Sequence, residues 1–272
     1  SANYANYVYA VDVDGDGDMD VLSASYYDDK IAWYEQEGSP VTFQPQTTAA
    51  LQTAVDLWIS DNASALSTYG EINTWDVSLI TDMSELFRDE NTFNDDIGNW
   101  DVSNVTNMIA MFRYSTFNQD IGSWDVSNVT QMNGMFMGTP FNHDIGSWNV
   151  SSVTNLTGTF QYNTSFNQDI SSWDVSNVWQ MRETYKGSNS FNQDISSWNV
   201  SNVTDWHETF WTGNGNSTPI PSLSDENKCA IHSSWSTQNA AWPYDWSGSC
   251  ASGPFQPQTT AALQTAVDLW IS

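Results

Sequence analysis

Between residues 70 and 210, apolar residues return at fixed offsets from a tryptophan. Trp75, Trp100, Trp124, Trp148, Trp173 and Trp198 stand 25, 24, 24, 25 and 25 residues apart. The copy around Trp124 carries Phe117, Ile121, Trp124, Val126, Val129, Met132, Met135 and Phe136 on its apolar skeleton, with polar residues between them. The stretch from Ile121 to Val126 predicts a short strand whose alternate residues, Trp124 and Val126, point inward. From Val129 onward the apolar residues recur every third or fourth position, which predicts a helical turn with Ser127 as its N-cap. No single copy can bury its own apolar face, so a period in the twenties predicts a solenoid of stacked copies over residues 70–210.

The flanks read as caps. Residues 43–60, FQPQTTAALQTAVDLWIS, set Leu51, Val55, Trp58 and Ile59 at helical spacing behind a proline lead, so residues 43–69 are expected to form a helix and loop covering the Ile72 and Trp75 layer. The same string returns unchanged at 255–272. Residues 43–254 are thus one module, and 255–272 is expected to start a second in a tandem array, unless the copy is only a recent duplication. Over 211–254 the repeat decays, and Ser224 before Asp225 and Glu226 predicts a helix start. Cys229 and Cys250, the only cysteines, flank an aromatic loop holding Trp235, Trp242 and Trp246. They predict a disulfide stapling the C-terminal cap, in an oxidising compartment. A zinc site lacks ligands, since His232 is the only histidine near them.

Residues 8–36 show two apolar, strand-like runs around an acidic loop with Asp12, Asp14, Asp16, Asp18 and Asp20 on alternate positions and Gly15 and Gly17 between. Carboxylates at this density repel one another without a counter-ion, and hard oxygen ligands suit Ca²⁺. The pattern D-x-D-x-D-G-x-x-D starts like an EF-hand loop but has Ser23 where that loop closes with Glu. It resembles instead the calcium loop of FG-GAP or VCBS propeller blades. That resemblance implies side-chain ligands from Asp12, Asp14, Asp16 and Asp20, a backbone carbonyl from Asp18, and a β-rich, blade-like hairpin over residues 1–42.

The spacing I-x-x-W-x-V-x-x-V-x-x-M follows leucine-rich-repeat grammar with other apolar residues in its slots. FNQDIGSWDVSNVTQM, residues 117–132, resembles the repeats of BspA-like leucine-rich-repeat surface proteins. The resemblance implies a solenoid of short parallel strands and short helical or 3₁₀ turns with helical caps, in a cell-surface setting and with no single activity.

Charge narrows the partners. Asp plus Glu number 33 against 6 Lys plus Arg, a net charge of −27, so nucleic acid and anionic membranes are poor partners and cations natural ones. No stretch has the ~20 apolar residues of a membrane span. The opening SANYANYVYA lacks the basic start and apolar core of a signal peptide, and the blade and module pattern place residue 1 inside a longer protein.

Two polar rows accompany the repeat. Asp96, Asp120, Asp144, Asp169 and Asp194 precede tryptophans by four residues and are expected to cap loops. Asp76, Asp101, Asp125, Asn149, Asp174 and Asn199 follow the tryptophans and are expected to form a surface ladder that meets ligand or metal. With Ser123, Ser147, Ser172 and Ser197 beside it, that ladder suits glycan, mineral, ice or no ligand at all better than protein. Among the N-x-S/T sequons, Asn62, Asn163 and Asn216 fall in apparent loops and are glycosylation candidates, whereas Asn104, Asn128 and Asn202 share one repeat slot.

His143, His207 and His232 are isolated, and there is no nucleophile elbow, phosphate loop or metalloprotease motif, so the chain is not expected to be an enzyme. The expected function is a calcium-stabilised structural segment of a secreted or cell-surface modular protein. It would associate with neighbouring modules of its own kind in an extracellular fibre, wall or appendage. The alternative is an adhesin whose solenoid face binds glycan, protein or mineral.

Overall fold

The computed structural model describes residues 7–11, 20–25, 30–34, 42–212 and 220–252. The chain divides into two compact units between Thr42 and Phe43. In the first, β1 (Tyr7–Val11), β2 (Asp20–Ser25) and β3 (Lys30–Tyr34) form an antiparallel sheet in the order β1-β2-β3. Val11 pairs with Asp20 and Ser25 with Lys30. The expected hairpin is therefore replaced by three strands, because KIAWY supplies a third run of β-favouring residues.

The second unit opens with α1 (Thr48–Ser60) and α2 (Asn62–Tyr69). Thr47 caps α1, accepting from the Ala50 N–H at 3.1 Å, and Leu51, Ala54, Val55 and Trp58 form its buried face. Gly70, at φ 70°, ends α2. Six coils follow, one per tryptophan from Trp75 to Trp198.

These coils correct the expected leucine-rich-repeat architecture. Among the described residues of the repeat there is no strand and no α-helix. Consecutive coils meet through single-residue parallel bridges, Asp82 to Asn107, Asn107 to Gln131, Gln131 to Asn155, Asn155 to Gln180 and Gln180 to Asp205. The reason lies in the backbone hydrogen bonds. In the coil of Trp100, tight turns run from Trp100 N–H to Ile97 O, Val105 N–H to Val102 O, Met111 N–H to Met108 O, Arg113 N–H to Ala110 O and Ser115 N–H to Phe112 O. A chain that closes a turn this often cannot stay extended. The burial of Trp124 and Val126 comes from turn corners, and Ser127 caps no helix.

Beyond each bridge, the N–H groups left out of these turns donate to the next coil: Met108 to Gln131 O, Ala110 to Asn133 O, Phe112 to Met135 O and Tyr114 to Met137 O, at 2.7–3.1 Å. This alternation requires a left-handed residue at a fixed slot. Glu85, Ala110, Gly134, Gly158, Glu183 and Glu208 fill it with φ of 52–67°. A helix cannot form through that slot, since a positive φ breaks the i to i+4 pattern.

Aromatic columns fill the interior. Phe87, Phe112, Phe136, Phe160, Tyr185 and Phe210 stack with centroids 5.4–5.9 Å apart. A parallel column, Phe93, Phe117, Phe141, Phe166 and Phe191, repeats at 6.0–6.5 Å. The two columns touch within each coil at 4.0–4.2 Å. Stacked pairs contribute roughly 0.5–1.5 kcal/mol each beyond area burial. Five of the six register tryptophans also donate the indole N–H to the preceding coil: Trp100 to Ile72 O, Trp124 to Ile97 O, Trp148 to Ile121 O, Trp173 to Ile145 O and Trp198 to Ile170 O, at 2.8–3.3 Å.

Both ends are sealed by side chains that imitate a coil. At the start Trp58 packs edge-on against Trp75 at 5.8 Å, and Thr48 and Gln52 donate to Asp82 O and Leu86 O. At the far end lies α3 (Asp225–Gln238), capped by Ser224. Its Trp235 stacks on Trp198 at 6.1 Å, and Ser234 donates to Ser196 O as Ser197 does to Ser171 O one coil earlier. A Cys229–Cys250 disulfide ties α3 to the 3₁₀ turn Ser247–Ser252.

Tyr185 is the sole non-phenylalanine in its column, and its hydroxyl is buried with no hydrogen-bond partner. Burial alone pushes that phenol well above its ordinary range. Tyr185→Phe should therefore stabilise the chain by about 1–2 kcal/mol in urea unfolding, the cost of an unmet buried hydroxyl. A destabilised variant would mean that the hydroxyl is satisfied.

Candidate functional site

The outer surface of the stack offers the candidate sites. In the row before tryptophan, each aspartate accepts the N–H two residues on: Asp96 from Gly98, Asp120 from Gly122, Asp144 from Gly146, Asp169 from Ser171 and Asp194 from Ser196, at 2.8–2.9 Å. The row after tryptophan does the same work. Asp76, Asp101, Asp125, Asn149, Asp174 and Asn199 accept from Ser78, Ser103, Ser127, Ser151, Ser176 and Ser201 at 3.0–3.2 Å. This explains the exchange of Asp for Asn, since both carry the Oδ1 that closes the turn. Asp76 is half-buried and the rest are exposed, so the row is a surface ladder with one oxygen of each residue already engaged.

Neighbouring amides bind coil to coil. Asn104, Asn128, Asn177 and Asn202 donate Nδ2 to Ser78, Ser103, Ser151 and Ser176 carbonyls at 2.6–2.8 Å. A correction concerns Asn163, expected in an exposed loop. It is fully buried, donates Nδ2 to Phe141 O and accepts from Ser165 and Phe166 N–H, so it cannot carry a glycan in the folded chain. Asn62 is exposed at the start of α2. Asn216, Asp12, Asp14, Asp16, Asp18 and the repeated string 255–272 lie outside the described residues. Asp20 opens β2, opposite Val11.

Two of the three histidines hold packing positions. His143 Nε2 lies 3.0 Å from Asn118 O, and His232 Nδ1 lies 3.2 Å from Tyr244 O. His207 stands with Glu183 and Glu208, whose ligand atoms fall within 4.8 Å of one another. Lys186 already occupies that cluster, 3.0 Å from Glu183 Oε1 and 2.6 Å from Glu208 Oε2. Burial disfavours ionisation of Glu183, but the Lys186 bond and charge prevail and hold its carboxyl below the usual value. The group is an ion-pair network across two coils. A bound cation would have to displace the lysine.

One face escaped the sequence reading. At offsets nine to fourteen after each tryptophan, spanning 84–89, 109–114, 133–138, 157–162, 182–187 and 207–212, the surface residues abandon the repeat. This face holds Arg88, Arg113, Arg182 and Lys186, four of the six cations, against Glu85, Asp89, Glu183 and Glu208. It is neutral in a chain of net charge −27. Tyr114 and Tyr162 lie on it, 44% and 41% exposed. Its signal was departure from the repeat.

The turn-capping carboxylates make acid stability testable. Hydrogen bonds from the Ser127 side chain and then its N–H hold Asp125 below the ordinary 3.8, as the Ser78 and Ser176 side chains and N–H groups do for Asp76 and Asp174. A lowered folded value means stability that is present above pH 3.8 and lost as the pH falls through the folded value. Asp125→Ala should cost a few tenths to about 1 kcal/mol at pH 7, the exposed position limiting the effect. Asp125→Asn should stay within about 0.5 kcal/mol and weaken the acid sensitivity. Equal loss in the two variants in urea titrations would show that the turn is not what the carboxylate supports.

No curated protein and no solved structure matches the chain. Among the described residues, no helix is long and apolar enough to cross a membrane. The family described as "Mycoplasma protein of unknown function, DUF285" matches residues 58–151 and 115–223, two overlapping placements suited to a repeat. Together they cover more than half of the chain, which therefore belongs to the DUF285 family.

Proposed function

We propose that this chain is a structural segment of a secreted or cell-surface modular protein, in which stacked-coil modules follow one another in an extracellular fibre, wall or appendage. The observation that carries the reading is the identity of 255–272 with 43–60, whose first copy is the helix seated on the opening coil. A second string with the same apolar set, Leu263, Val267, Trp270 and Ile271, suits the cover of a second stack. The Cys229–Cys250 disulfide favours an oxidising compartment. The likeness of the repeats to BspA-like surface proteins and of the Asp12–Asp20 loop to FG-GAP or VCBS blades points the same way. The polar rows have an observed task, closing turns and bonding coil to coil.

Two measurements test this. Two copies of residues 43–254 joined in one chain should give one sharp intermodule distance in small-angle scattering, because Pro254 and the second copy's Pro45, the equivalent of Pro257, restrict the junction. A broad distribution would make the junction a flexible tether and favour an adhesin. Calcium should bind the full chain in isothermal titration and raise its melting temperature, and Asp16→Ala should abolish both effects. A folded chain that takes up no calcium would remove the metal from the proposal.

A further inference from the structure

We infer that the neutral face is a binding site for an uncharged hexopyranose oligosaccharide, seated between Tyr114 and Tyr162. Both tyrosines occupy the same slot, two coils apart. At about 4.8 Å per step of paired backbone, roughly 10 Å separates them, on the order of two linked hexose units. Glycines on the following coil fix both rings. A Cβ on Gly138 would stand 2.4 Å from Tyr114 Cδ1, and one on Gly187 2.4 Å from Tyr162 Cδ1, so each ring edge rests where only glycine leaves room. Both glycines have positive φ, 67° and 72°, which further restricts the slot. The Arg113 guanidinium lies over the Tyr114 ring, 5.1 Å from its centroid.

Between the tyrosines the coils carry little side chain. Gly134 and Gly158 hold the left-handed slot, and Met137 lies across them, its Cε 3.8 Å and 2.9 Å from where their Cβ atoms would be. The result is an apolar floor between two aromatic walls. The chain neighbours of Tyr114 and Gly134 each hold a buried polar atom without a hydrogen-bond partner, Arg113 Nε and Asn133 Oδ1, and both are covered by protein rather than open to a ligand. The other buried side-chain groups without partners, on Tyr185, Trp206 and Trp235, belong to the core and the C-terminal cap.

A sugar ring matches this set. Its C–H face packs on an aromatic ring, whose face is electron-rich, while its hydroxyls stay hydrogen-bonded to water around the rings. It carries no charge for the −27 chain to repel. The site rests on residues 113–187 alone and is independent of assembly between modules.

The test is isothermal titration of the whole chain with tetrasaccharides of β-1,4-linked glucose, N-acetylglucosamine and mannose. At least one should bind. Tyr114→Ala and Tyr162→Ala should each weaken it about tenfold, which is ~1.4 kcal/mol, while Tyr114→Phe, which keeps the ring, should stay within about twofold. Thermal melts check that each variant folds. For any that does not, the tyrosine ring signals of the unsubstituted chain are followed by NMR during the titration, with shifts at Tyr114 and Tyr162 expected. No binding of any of the three, unweakened alanine variants, or ring signals that do not move would overturn the inference.

Discussion

Each coil is held by hydrogen bonds that its own backbone cannot close. Alternate N–H groups beyond the bridge, such as those of Ala110 and Phe112, find acceptors only on the next coil, and the indole N–H groups of Trp100, Trp124, Trp148, Trp173 and Trp198 find theirs on the previous one. Leaving such groups unmet in the interior would cost about 1–3 kcal/mol apiece. Congruence between neighbours follows. The bridge residues, the left-handed slot and the tryptophans all step by 25, 24, 24, 25 and 25 residues, without slippage between them.

The difference between copies of 24 and 25 residues falls in the return segment, beyond the bridge and its backbone ladder. From the second left-handed slot to the next phenylalanine the chain takes four steps from Asp89 to Phe93 but three from Tyr114 to Phe117. The longer return recurs between Tyr162 and Phe166, where Asn163 turns inward and binds the Ser165 and Phe166 N–H groups. A polar residue is buried there because the extra backbone must be satisfied. Congruence likewise explains the caps. The stack would end in open carbonyls, and the side chains of α1 and α3 take the places that another coil's donors would hold.

The same requirement divides the surface by function. Rows of Asp, Asn and Ser are committed to turns and to coil bonding, so their chemistry is largely spent on the fold. The exposed side chains at offsets nine to fourteen carry little of that duty and depart from the repeat. Together they collect neutral charge balance and exposed tyrosines.

The sequence by itself determined the period, the buried skeleton, the helical covers at both ends and the pairing of the two cysteines. These depend on which residues are apolar and how far apart they stand, which stacking reads directly. Tertiary structure alone decided the backbone that carries them. Apolar spacing such as that of Trp124 and Val126 is met equally by a strand or by successive turns. The choice fell to hydrogen bonds between coils and to left-handed residues such as Glu85 and Ala110, whose side chains do not advertise a positive φ. Asn163 shows the same limit, since its sequon is local and its burial is set by neighbours more than twenty residues away. The candidate face was legible only in outline, as the stretch where copies disagree. Tyr114 meets Gly138 and Tyr162 meets Gly187 only once the coils are stacked, because contacts between copies are made across space and leave no mark within one copy.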